Sequence, residues 1–200
     1  AYNAFNGVQQ WFTPLPQFDQ WTPAVFEGVA YAFAGGALSA HDVPTGAKLW
    51  EKFLPFDYFT YEMKTAPVID VENRLIFTTS DYHLHAIDLD TREIEWTINS
   101  TFGISPALLD GVLYVIRDSM LEARNALTGS LLWKFNGVES LSYPPVLNND
   151  YVFVASVDNV YAVHRATGQY AWNYHHGGYP TLGENMLLMA DKTGTLRVFE

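Results

Sequence analysis

From Ala40 to Trp50 the chain reads Ala-His-Asp-Val-Pro-Thr-Gly-Ala-Lys-Leu-Trp, and the same eleven-residue pattern returns without gaps. Ala86–Trp96, Ala123–Trp133 and Ala162–Trp172 repeat it, giving A-x-[DNH]-x-x-T-[GR]-x-x-x-W. A further copy, Ala1–Trp11, opens the chain with Asn6 in place of Thr. Successive motif tryptophans lie 39, 46, 37 and 39 residues apart. A period of that length marks an array of supersecondary units rather than a domain with a single fold signal.

Working outward from the motif, a proline opens each unit: Pro23, Pro67, Pro106, Pro145 and Pro180. From proline to motif Ala is 17 residues in three units and 19 in the second, and Pro180 to Arg197 is again 17. The intervening runs are β-branched and aromatic, as in Val112–Ile116 and Tyr151–Ala155, and turn residues such as Asp110-Gly111 and Asn148-Asn149-Asp150 separate them. Proline is tolerated at a strand's first residue because no ladder bond is lost there. The motif's Thr-Gly predicts a hairpin turn with Gly at positive φ, and Arg92 in that place predicts a turn of another type or a strained one. Each unit therefore predicts four antiparallel strands, A to D. Such a sheet has two apolar faces, and radial stacking buries each against its neighbour.

The motif resembles the tryptophan-docking motif of the PQQ-like (quinoprotein-type) β-propeller repeat family, over nearly the whole chain. The resemblance implies that Trp11, Trp50, Trp96, Trp133 and Trp172 dock on the neighbouring blade, beside small residues at Ala40, Ala86, Ala123 and Ala162. The expected fold is an all-β propeller in one domain, 1–200, with blades at about 23–50, 67–96, 106–133, 145–172 and 180–200. Residues 1–11 would complete the fifth blade, because the 28 residues after Trp172 and the 11 up to Trp11 sum to one period of 39. The alternative is a piece of a seven- or eight-bladed propeller.

Composition narrows the function classes. Acidic residues number 22 against 11 basic ones, a net charge of −11 with no basic cluster, which argues against nucleic acid and anionic membranes as partners. Cysteine is absent, so disulfides, thiolate nucleophiles and Cys-based zinc sites are excluded. No apolar run approaches the roughly 18 residues of a membrane span, so membrane insertion is not expected. The chain starts at Ala1 with no signal-like segment and reads as a processed or excised product.

The expectation for chemistry is a non-enzymatic scaffold for protein interaction or assembly, secreted or periplasmic, with self-assembly as a variant. No catalytic residue is identified and no cofactor is expected. The family's enzymes imply the alternative of a PQQ- and calcium-dependent dehydrogenase, or a fragment of one. The alcohol dehydrogenases among them stack the cofactor on adjacent cysteines, which this chain lacks. Partner-binding candidates are the aromatics of the longest connection, Phe53, Phe56, Tyr58, Phe59 and Tyr61, with Tyr174 and Tyr179 on the same end. A carbohydrate-binding module using those rings is a second alternative. His83 and His85 alternate on one strand face, and His175 and His176 follow a strand D, so the four are candidate metal ligands. No carboxylate pattern completes a site, however, and the expected reading is structural roles with no metal. His41 and His164 lie inside motifs and read as structural, as does Asp88 of Asp88-Leu89-Asp90. Asn99-Ser100-Thr101 is a glycosylation sequon, with Asn99 the acceptor.

Overall fold

The computed structural model describes residues 1–15, 22–55, 65–80, 82–184 and 186–199. It is all-β. The first blade is β1 (Ala24–Phe26), β2 (Val29–Ala34), β3 (Ala37–Asp42) and β4 (Lys48–Phe53), and the second is β5 (Val68–Asp70), β6 (Leu75–Thr79), β7 (His83–Asp88) and β8 (Ile94–Asn99). The third holds β9 (Ala107–Leu109), β10 (Val112–Arg117), β11 (Met120–Asn125) and β12 (Leu131–Phe135), and the fourth β13 (Val146–Leu147), β14 (Tyr151–Ala155), β15 (Val160–His164) and β16 (Tyr170–Tyr174). The last sheet has three strands, β17 (Tyr179–Gly183), β18 (Met186–Ala190) and β19 (Leu196–Phe199). Every sheet is an antiparallel meander in chain order, and the inner strands β1, β5, β9, β13 and β17 neighbour one another in sequence.

The motif sets the geometry of each third-to-fourth strand hairpin. Its Ala pairs directly with its Trp, as Ala40 with Trp50 and Ala123 with Trp133, and the register then slips by one residue. The same slip follows Ala86 and Ala162. This bulge, repeated in four blades, twists each hairpin alike. In the turn the Asp42 carboxylate accepts from the N–H (3.0 Å) and the hydroxyl of Thr45, while Gly46 N–H donates to Asp42 O at 2.7 Å. Asn125 holds Thr128 and Gly129 in the same way. Gly46, Gly129 and Gly168 have φ of 74°, 70° and 71°. Arg92 keeps the same turn, with its N–H on Asp88 O at 2.8 Å, and takes the left-handed φ of 65°. The turn is not of another type; the strain is borne by the arginine.

Apolar side chains of adjacent blades interleave. Tyr31, Phe33 and Leu38 of the first meet Ile76 and Ile87 of the second, while Phe77 and Leu84 on the second blade's other face meet Leu113 and Val115 of the third. Tyr114 and Leu121 meet Val152 and Tyr161, and Phe153 and Val160 meet Leu187 and Met189. Over these joints lie the motif tryptophans. Trp11 Nε1 donates to Val43 O (2.7 Å), Trp96 Nε1 to Ala126 O (3.1 Å) and Trp133 Nε1 to Arg165 O (3.0 Å), each on the following blade's turn. Gly46, Gly129 and Gly168 lie flat under those rings, where a Cβ would come within 2.5, 2.9 and 2.6 Å of the indole.

One expected pairing is not formed among the described residues. β19 pairs with β18 alone, and Gly7–Trp11 does not add a strand beside it. The first eleven residues instead close on themselves: Tyr2 bridges Gln9, the terminal amine donates to Trp11 O at 2.8 Å, and Asn3 Oδ1 accepts from the Phe5 and Asn6 N–H groups. These local bonds satisfy the backbone that the fifth sheet would otherwise have used. Trp11 still stands toward the first blade as Trp96 stands toward the third.

Candidate functional site

Alternating strand direction puts the second-to-third strand turns and the connections between blades at one end of the sheets. Apolar side chains gather there in the open. Phe53 ends β4 and is 57% exposed, Tyr82 of the β6–β7 turn 60%, and Tyr179 at the start of β17 61%. Tyr174 ends β16, Val138 belongs to the β12–β13 connection and Val157 to the β14–β15 turn, all exposed. Tyr143 meets Tyr179 edge-on at 4.6 Å, and Tyr174 meets Phe199 edge-on at 5.1 Å. Of the partner-binding candidates, Phe53, Tyr174 and Tyr179 are thus exposed at one end. Phe56, Tyr58, Phe59 and Tyr61 lie outside the described residues.

Beside Tyr143 is a cavity of about 190 Å³ floored by Asp158, His175, His176, Asp191 and Lys192. The glycines explain why this loop sits so deep. A Cβ on Gly177 would lie 2.1 Å from Ser156 O, and one on Gly178 2.5 Å from Ala190 O, so the loop is wedged between two turns. His176 Nε2 lies 3.3 Å from Asp191 Oδ2. The Asp191 carboxyl is held below the usual carboxylate range, chiefly by the Thr193 hydroxyl (2.7 Å) and then by the Thr195 N–H (2.9 Å). Glu139 is likewise held low, first by the Ser156 hydroxyl at 2.5 Å and also by the Asn159 amide at 3.1 Å.

The four candidate histidines lie in two separate places. His83 and His85 point between the first and second blades, are buried, and stack on each other at 5.3 Å, with His85 Nδ1 2.9 Å from Thr97 Oγ1. Alternate positions on β7 face the neighbouring blade, not the loops, as Ile87 in the first joint's core shows. His175 and His176 stay at the far cavity. Among the described residues no three His, Asp or Glu side chains are grouped to hold a metal. His41 is buried with Nε2 3.0 Å from Ser39 Oγ, His164 packs on Tyr151 at 5.0 Å, and Asp88 accepts from the N–H groups of Asp90 and Thr91. Asn99 is exposed at the end of β8.

A PQQ–calcium pair fits this end poorly. The cofactor is a tricarboxylate, and the cavity here offers it a single lysine beside two aspartates, while its aspartates and histidines are not grouped to hold a metal among the described residues. Sequence reasoning missed Tyr82, Val138 and Val157, which stand alone in turns; their strand-end positions were the one available signal.

Known proteins agree on the architecture. BamB from Moraxella catarrhalis superposes with a TM-score of 0.78 at 19% identity, covering 96% of this chain and 63% of its own. The quinohemoprotein alcohol dehydrogenases from Comamonas testosteroni and Pseudomonas putida HK5 give TM-scores of 0.77 and 0.76 at 15% identity. They cover 92% and 93% of this chain and 41% of each enzyme, so the chain spans less than two thirds of all three. No curated protein sequence matches. The family model described as outer membrane protein assembly factor BamB matches residues 1–133 and 117–200, and the chain belongs to that PQQ-like repeat family.

Proposed function

We propose that this chain is a non-enzymatic, extracytoplasmic propeller module that binds a protein partner through the end bearing the turns and inter-blade connections described above. The observation that carries the reading is the set of exposed rings Phe53, Tyr82, Tyr174 and Tyr179 at that one end. Large rings give contact area at low entropic cost and dominate protein interfaces. Membership of a family described by an assembly factor supports a protein partner and a site outside the cytoplasm. Trp11, Trp50, Trp96, Trp133 and Trp172 act in this proposal as blade-docking residues that keep the interaction face rigid, without touching the partner. A second copy of the chain is one partner this surface admits.

The test places a photo-crosslinking amino acid at Tyr82, Tyr174 or Tyr179, and at Thr45 or Thr91 at the opposite end, in cells of the source organism. The expected result is a discrete protein adduct from the first three positions only. Adducts from Thr45 and Thr91 alone would overturn the proposed face. Stoichiometric, calcium-dependent uptake of PQQ with dye-linked alcohol oxidation would overturn the non-enzymatic reading.

A further inference from the structure

The joints between blades one and two and between blades three and four are built alike. Tyr31 meets Trp50 at 6.0 Å and 57°, and Tyr114 meets Trp133 at 5.8 Å and 52°. Each carries an acid on the first-to-second strand turn of its leading blade, Glu27 and Asp110. Their fillings differ. In the first joint Arg92 lies over the Trp50 ring at 5.4 Å, and Arg74 lies over Phe26 at 5.7 Å while pairing with Glu27 (3.3 Å) and Asp90 (2.7 Å). At the corresponding positions of the second joint stand Gly168 for Arg92 and Asp150 for Arg74. The correspondence is fixed by backbone bonds, Leu89 N–H to Arg74 O and Arg165 N–H to Asp150 O, at 2.9 and 2.8 Å.

Where two arginines fill the first joint, the second is open: a groove of about 620 Å³ lined by Trp133, Leu132, Asp110, Asp150 and Arg165. Arg165 is already engaged with Asp110 at 2.8 Å, and Asp150 has no ion-pair partner among the described residues. Two carboxylates against one guanidinium leave the groove acidic, in a chain whose net charge is −11. Arg165 Nη1 is buried without a hydrogen-bond partner.

We propose that the groove between blades three and four is a second binding site, at the end of the sheets opposite the aromatic surface, for an arginine side chain of a partner polypeptide. The guanidinium lies against Trp133 and pairs with Asp150, as Arg92 and Arg74 do on Trp50 and Glu27 within the chain itself. A planar guanidinium suits both contacts; an ammonium meets the carboxylate and stacks poorly.

The experiment titrates the protein with acetyl-Gly-Arg-Gly-amide and follows the Trp133 indole N–H and the Thr167 amide by NMR. Saturable shifts centred on those groups are expected. The lysine peptide should bind at least about threefold more weakly, and the citrulline peptide, which lacks the charge, should give no saturable shift. Asp150→Asn should weaken arginine binding about fivefold or more, with Asp150→Glu within about twofold of the parent. Both substitutions are at an exposed turn residue, and unchanged spectra elsewhere establish that the fold is kept. Absence of saturation in the parent, equal binding by Asp150→Asn, or shifts centred on another blade would overturn the proposal. Loss of crosslinks at Tyr82, Tyr174 and Tyr179 would leave this site untouched, so the two proposals fail separately.

Discussion

Glycine at the motif's seventh position and glycine at a surface turn meet different constraints, and substitution separates them. Gly28 has φ of 76° with nothing within 4 Å of a built Cβ, so Gly28→Ala meets only the left-handed backbone cost, about 1 kcal/mol. Gly168 has φ of 71° and a Cβ would sit 2.6 Å from Trp133 Cε3. Gly168→Ala must also displace the indole from Arg165 O, and about 2–4 kcal/mol is expected in total. Urea midpoints of the two variants decide it; equal losses would mean that the Trp133 contact carries no stability. A second residue-scale expectation concerns acid. Asp191 and Glu139 are held below the ordinary carboxylate range by hydroxyl and N–H donors. A carboxyl depressed in the folded state contributes stability at pH above its unfolded value of about 4, and that contribution disappears as pH falls through the folded value. Asp191→Asn should therefore flatten the acid limb of stability against pH below about 4 and leave the slope near neutrality unchanged. A full parental acid limb in that variant would show that Asp191 is not a source of it.

Strand β11 carries a charge pair inside the second-to-third blade joint. Arg124 Nε and Nη2 donate to Glu122 Oε2 at 2.8 and 2.5 Å, and Nη1 donates to Gly129 O at 2.7 Å, under the glycine on which Trp96 lies. Both side chains are buried, and Glu122 keeps one further partner, Arg117 Nη1 at 3.5 Å. Glu122→Leu therefore strands Arg124 and should cost about 3–5 kcal/mol, while Arg124→Met leaves Glu122 partly paired and should cost less. The double variant should recover most of that loss, since well-packed apolar side chains replace buried pairs at little cost. Additive losses in the double variant, read from chemical denaturation, would contradict a direct coupling. This pair was not legible in the sequence, because Glu and Arg at alternate positions read as a solvated strand face. The motif hairpins were legible, since Ala, Thr-Gly and Trp fix a bulge, a turn and a contact within eleven residues. The strand faces of His83 and His85 were legible, but not the burial that keeps them from His175 and His176. Tyr174 and Tyr179 could be placed at one end from strand order, while the open groove depends on comparing positions 74 and 92 with 150 and 168, a contrast that exists only once the blades are superposed.

At the scale of the molecule, among the described residues, strand pairing stays within each sheet and the apolar cores lie between successive blades. Stability in such an array is a sum of blade terms and nearest-neighbour joints rather than one shared core. A perturbation at a joint should then stay near it. Trp133→Phe removes the hydrogen bond to Arg165 O and part of the ring buried against the third and fourth blades. The expected loss is about 1–3 kcal/mol, which lowers amide protection about 5-fold to 160-fold if local opening governs exchange. That loss should appear in β10, β11, β14 and β15, with β2 and β3 of the first blade unchanged, because among the described residues Trp133 and these two strands belong to different core clusters. Hydrogen exchange followed strand by strand reads this directly. Equal loss of protection in β2 and β14 would mean that the blades open as one cooperative unit, and that the joint energies do not act locally.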